Sequence, residues 1–370
     1  MLRPALDRPP GTLQSTNSAS DPIKPFIQFV LRVTSLVWLA MGASAFAEPP
    51  SPMSVATTSQ APLTDAQQRD VIAQIEAVGR RGFLYEVSRP AAKGDGDDAG
   101  SAAAGKRLFL YGTIHLGRID SEPFNGPVFA ALRLSSRLAL EADPSDAKST
   151  QELAMRLGQY QGTDSLQRHV SPALMARVKA FGERNGMPHD RIVRFRPWLL
   201  ANMVVLTDVA GAGLDPTMGS EMYLTGFARG MGLPVVEIEG LASQLHLLAG
   251  LPEALQNAQL EEALAELDSG KSQAQSKELF ALWLRGDKAA GEAVVAQLHR
   301  EAEGKAFERY FVQTLIDSRN RTMADKGENY LERAGNTFFA VGALHLFGEA
   351  GLIHEFERRG YRVVDLQPRS

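Results

Sequence analysis

Short apolar runs separated by stretches of helical spacing recur along the chain, and this alternation constrains the fold more than any other feature of the sequence. The runs lie at residues 83–87, 107–111, 138–141, 234–238, 337–341 and 361–366. Between them, residues 127–134, 172–184, 197–210, 218–231, 253–267 and 352–359 repeat apolar side chains every three or four positions, and charged helices are expected across 273–332. The central runs are unbroken rather than alternating, as in strands covered on both faces. The expected fold class is therefore α/β, with a mostly parallel central sheet. An N-terminal antiparallel hairpin is expected from the first two runs, joined by a Gly-, Ala- and Asp-rich loop at 91–106. A large helical insertion at about 150–335 is expected to pack over the sheet.

The front of the chain has the layout of a secretion signal. Arg3, Arg8, Lys24 and Arg32 precede the apolar stretch VTSLVWLAM at 33–41, and small residues lead to Ala45-Phe46-Ala47 before Glu48. The apolar run stops short of the roughly 20 residues that a spanning helix needs. Residues 1–47 are thus expected to be a signal peptide cleaved at about Ala47. That implies a periplasmic or secreted protein with no integral membrane span. Residues 48–63, rich in Pro, Ser and Thr, read as a linker. The domain is expected at 64–370, opening with a helix capped by Thr64.

Composition narrows the chemistry. Residues 48–370 carry 35 Lys and Arg against 41 Asp and Glu, which argues against nucleic acid or an anionic membrane surface as partner. The chain has no cysteine, so disulfides, thiolate metal sites and a Cys nucleophile are excluded. A metal would be held by His, Asp, Glu, carbonyls or water. No H-E-x-x-H, G-x-S-x-G or P-loop pattern is present.

The spacing G-x-x-H occurs four times, whereas 33 Gly and 7 His would give about 0.6 matches by chance. Spacing alone is weak, and context separates the four. His189 follows Pro188 in an expected loop, and His354 lies inside the closing helix. His115 and His345 instead end apolar strands and lead into Gly-containing turns, where an open α/β sheet binds ligands. Neutral imidazole is the commonest protein metal ligand, although a lone buried His is more often a hydrogen-bonded core residue. Glu141 and Glu239 end strands in the same manner, and Glu237 lies beside the latter. Asp215 and Glu221 flank the start of the 218–231 helix, where capping and first-turn charge are the alternative account. Arg319, Asn320 and Arg321 crowd one helical turn; a buried Arg there would balance carboxylates or grip an oxyanion, and a solvated face would do neither. Two His with carboxylates and no Cys suit a hydrolytic or transition-metal site with a position open for water.

At these residues the sequence resembles the TraB/GumN family, of the Tiki-like superfamily, which is distantly similar to the erythromycin esterases and the haem-binding ChaN lipoproteins. The resemblance covers residues 80–368 and rests on six blocks in order: LYGTIHLG at 110–117, LALEAD at 138–143, RPWLLANM at 196–203, the middle block at 213–244, RNRTMA at 319–324, and FFAVGALHLFGEAGLIHEFERRGYRV at 338–363. It implies a metal-dependent hydrolase, a peptidase or esterase acting on a small-molecule or peptide substrate. His115, His345, Glu141 and Glu239 would be metal ligands, with Glu141, Arg319 and Asn320 catalytic and Mn, Co or Zn as the divalent metal. The middle block departs from the pattern in one place, reading Glu237-Ile238-Glu239 where a Leu-Glu pair is usual. Two other readings stay open: a non-catalytic binder of haem or another ligand, and an exopolysaccharide accessory factor. Against haem, no Tyr or Met cluster lies near either His in the sequence.

Overall fold

The computed structural model describes residues 82–90, 106–118, 124, 126–303 and 309–367. The expected signal segment, linker and Thr64-capped helix lie outside these residues, as does nearly all of the 91–106 loop.

Six strands form one sheet: β1 (Phe83–Ser88), β2 (Arg107–Thr113), β3 (Ser135–Leu140), β4 (Val235–Glu237), β5 (Asn336–Gly342) and β6 (Arg362–Asp365). Their order is β4-β3-β5-β2-β1-β6. Neighbours from β4 through β2 are all parallel. The strand β1 runs antiparallel to both β2 and β6, with Phe83 opposite Gly112 in the hairpin. The α/β class, the mostly parallel sheet and the antiparallel hairpin are as the sequence led us to expect. The central strands β2 and β5 are buried at every position after their first, which is why they read as unbroken apolar runs.

The third run ends one residue early, at Leu140. Glu141 turns out of the ladder, and its carbonyl accepts the amides of Glu239 and Gly240 at 2.9 Å each. The fourth run shortens to three residues at the sheet edge.

The helices that matter for the site are α1 (Gly126–Arg133), α2 (Ala147–Gly158), α3 (Pro172–Arg184), α4 (Pro197–Gly211), α5 (Ser220–Gly230), α6 (Leu241–Ala249), α7 (Glu253–Ser269), α8 (Lys271–Arg285), α9 (Lys288–Ala302), α10 (Ser318–Glu332) and α11 (Leu352–Arg358). The bounds of α3 coincide with the expectation because both ends are signalled. Ser171 accepts the Leu174 amide, and proline occupies the first turn. His189 begins a single helical turn, His189–Ile192, rather than sitting in a loop. A π-helical stretch, Phe311–Asp317, runs directly into α10; such stretches are rare and often border functional residues.

Among the described residues between β3 and β5, β4 is the one strand and the other named elements are helices. Trp283 of α8 is fully buried, and its indole N–H donates to the Gly112 carbonyl at 2.8 Å. Its own carbonyl accepts the Gly82 amide at 3.0 Å. One residue therefore ties the helical layer to the start of β1 and the end of β2. Among the described residues no helix is long and apolar enough to cross a membrane.

Candidate functional site

The parallel strands β4, β3, β5 and β2 end on the same edge of the sheet, and each end delivers one ionisable side chain. Glu239 follows β4, Glu141 follows β3, His345 sits in the short 3-10 turn after β5, and His115 follows β2. The strand β5 fills the gap between β2 and β3, bringing residues far apart in sequence side by side. His115, Glu141 and His345 are all buried.

Two backbone approaches place His115. Gly117 and Asp215 exchange amide hydrogen bonds of 3.0 and 2.9 Å, strapping the turn after β2 to the start of α5. A Cβ on Gly117 would lie 1.8 Å from the Met218 carbonyl oxygen, so the strap requires glycine there. Ser220 reinforces it: its hydroxyl accepts the Ile114 amide at 2.8 Å and donates to the Ile114 carbonyl at 3.0 Å. The next residue, Glu221, then stands with Oε1 2.6 Å from His115 Nδ1. Burial works against charge on His115, but the Glu221 carboxylate outweighs it and raises the histidine above its ordinary value.

His345 is held from a different helix. Its Nδ1 lies 2.6 Å from Asn320 Oδ1 on α10, and the Asn320 amide nitrogen donates to the Ala350 carbonyl at 2.8 Å. Asn320 therefore accepts from an Nδ1–H, leaving Nε2 with its lone pair. That nitrogen lies 3.7 Å from Glu141 Oε1. Burial and the positive charge of Arg319 lower the His345 pKa to about 4, despite the pull of Glu141. The imidazole is neutral at pH 7.

Arg319, one residue before Asn320, binds both glutamates. Its Nε lies 3.0 and 2.9 Å from the two oxygens of Glu239, and its Nη2 donates to Glu141 and Glu239. Glu141 also accepts the Gly342 amide at 2.7 Å and Gln244 Nε2 at 3.2 Å. Burial alone would raise the Glu141 pKa. Arg319, both imidazoles and the Gly342 amide overturn that and hold it at about 2.

The donor set expected for a divalent metal is only partly assembled. His345 Nε2 and Glu141 Oε1, 3.7 Å apart, fit two ligands bonded at about 2.1 Å to one ion. Arg319 binds both oxygens of Glu239 and also Glu141 Oε1, so an ion at either glutamate would have to displace the guanidinium. Among the described residues no group of three or more His, Cys, Asp or Glu side chains is placed to hold a metal. In this arrangement the guanidinium supplies the positive charge that the two carboxylates require.

Of the other candidates, Asp215 caps the turn Pro216–Met218 by accepting the Thr217 amide at 2.7 Å. Glu237 is exposed and accepts the Asp143 amide at 2.9 Å. Arg321, His189 and His354 are exposed. Two contributors escaped the sequence reading. Gln244, on α6, spans Glu141 and Glu239, and Lys326, on α10, donates to the Ile238 carbonyl. Gln244 closes the 213–244 block, which was the one signal pointing to it.

A model of the TraB/PrgY/gumN family matches residues 101–365, which include every residue of this site. The chain is also similar to the protein described as uncharacterized protein YbaP of Escherichia coli (strain K12). The two are 24% identical over 249 residues, covering 67% of this chain and 87% of the relative. The Shigella flexneri protein of the same description is 23% identical over 243 residues, covering 66% of this chain and 85% of the relative. No solved structure matches.

Proposed function

The chain belongs to the TraB/PrgY/gumN family, and from that premise we propose that the crevice hydrolyses an acyl bond, peptide or ester, outside the cytoplasm. The observation carrying this reading is the delivery of two anchored imidazoles and two glutamates by four adjacent parallel strand ends, at the edge where α/β sheets bind ligands.

In the proposed reaction a water oxygen bonds to the substrate carbonyl carbon while its proton passes to His115 Nε2. Glu221 holds the Nδ1–H and offsets the imidazolium charge. The oxyanion gathers beside Arg319 Nη1, the guanidinium nitrogen that donates to neither Glu141 nor Glu239. The C–N or C–O bond then breaks, and the leaving group takes the proton from His115. Asn320 positions His345, whose neutral ring stays on the Glu141 side of the crevice.

A resident Mn, Co or Zn ion belongs to the same proposal, and when bound it would polarise the carbonyl and acidify its water. Loading an ion at Glu141 and Glu239 requires Arg319 to withdraw from them. Export rests on the basic leader and apolar stretch ending in Ala45-Phe46-Ala47, and N-terminal sequencing of periplasmic protein should begin at Glu48.

The test compares wild type, His115→Ala and His345→Ala against internally quenched peptides and nitrophenyl esters, with bound metal quantified in parallel. Wild type turns over, and each variant loses at least about a hundredfold in rate. Turnover that survives both substitutions sinks the hydrolase. Equal metal content in all three proteins removes the resident ion.

A further inference from the structure

Beside the crevice lies a cavity in which the centre of a water-sized molecule can roam about 50 Å³, and its walls are almost wholly apolar. Phe83, Leu282, Trp283, Val294 and Phe347 form its buried walls, and Leu344 stands half-buried among its lining residues. The rings of Phe83 and Phe347 meet edge to face at 4.8 Å, so that wall is stiff. Two residues of the site, His115 and Gly342, line the cavity as well. It therefore opens directly onto the place where His115 acts, and a molecule whose bond lies there presents its neighbouring group to these walls.

Charge is excluded from that group. Among the described residues, no acidic or basic side chain other than His115 lines the cavity, so a buried charge would lose its hydration without gaining a partner. One polar atom is unspent. Thr113 lines the cavity, and its buried hydroxyl has no hydrogen-bond partner among the described residues. A buried hydroxyl left without a partner is costly, and a turn of its χ1 toward the opening would let a ligand N–H or C=O beside the apolar group satisfy it. A peptide offers such an amide next to every side chain, whereas a fatty acyl chain offers only carbon past its carbonyl.

We propose that this cavity is the subsite for one bulky apolar side chain, of leucine or phenylalanine size, flanking the bond cleaved in an extended peptide. The assignment rests on the hydrolase reading for the cleavage but not for the binding, and the two are tested apart.

Binding is measured on the intact protein with the blocked tripeptides acetyl-Ala-X-Ala-amide, X being Leu, Phe, Ser or Glu. The readout is the part of the tryptophan fluorescence change that is lost in Trp283→Phe. The Leu and Phe peptides should bind roughly tenfold or more tightly than the Ser and Glu peptides. Val294→Trp, which fills the cavity, should abolish the difference. Leu344→Asp, at a position that already tolerates water, should abolish it with the thermal melt unchanged, which guards against misfolding of the first variant. Equal binding of all four peptides, or a preference untouched by Leu344→Asp, overturns the subsite. Octanoate competing as strongly as the Leu peptide overturns the peptide assignment.

Cleavage of matching quenched peptides separates the two readings. Selective binding with no cleavage leaves the subsite standing and defeats the hydrolase. Cleavage indifferent to X does the reverse.

Discussion

At the scale of single residues, His115 depends on Glu221. The carboxylate raises the histidine against the effect of burial, so Glu221→Gln should lower the His115 titration midpoint, read directly from imidazole NMR signals as pH is varied. An unmoved midpoint would show that the 2.6 Å contact carries no charge coupling. His345 behaves in the opposite sense. Its folded pKa of about 4 lies below the ordinary 6.5, so as pH falls through 6.5 the unfolded chain takes up a proton that the folded protein refuses until near pH 4. Stability is therefore lost as pH drops through that window, by up to about 3 kcal/mol from this group. His345→Gln should lack the loss, and the stability gap between wild type and variant, measured by urea melts, should narrow from pH 7 to pH 4. The sequence made the four strand-end residues legible because a charged or imidazole side chain closing an apolar strand has few reasons to be there. Glu221 and Gln244 were not legible in the same way. Their roles depend on how α5 and α6 approach strands about a hundred residues away, and from local sequence each reads equally well as a helix-end or surface polar residue.

At the scale of elements, most helices with apolar stripes were readable, whereas α2 and α6 were not singled out. The fully buried positions described in α2 are Thr150, Ala154 and Gly158, with Leu153 and Leu157 half-buried beside them, so the innermost part of its stripe carries small residues. The closeness of its packing explains the choice. A Cβ on Gly158 would lie 2.4 Å from a methyl of Leu199 on α4, so Gly158→Val should cost about 1–3 kcal/mol through overpacking, measured by chemical denaturation. A cost near zero would mean that α2 can slide away from α4. The apolar spacing of α6 is plain once it is sought, but the helix begins at Gly240, which makes no side-chain cap, and it follows β4 without a start signal. In α10, Arg319, Asn320 and Lys326 all reach toward the strand ends, which is why a helix that reads as charged is half-buried.

At the scale of the whole molecule, the sheet is closed from the far end of the chain. The parallel class and the hairpin follow from the alternation of strands and helices, but the strand order does not. Nothing local in 336–342 says that this segment inserts between β2 and β3 rather than adding at an edge. The insertion has a measurable consequence. A chain ended at residue 335 leaves β2 and β3 without the neighbour they share, so it should lose the cooperative thermal transition and the near-ultraviolet circular dichroism of the full chain. A truncated chain that still melts sharply would show that β5 is dispensable to the sheet. The same placement bears on when the protein becomes reactive. Until synthesis or transport has delivered the stretch from Asn336 to His345, neither the second imidazole nor the Gly342 amide that steadies Glu141 is available. Under the proposed hydrolysis, a stalled or clipped copy lacks half of its site, and only the finished polypeptide is armed.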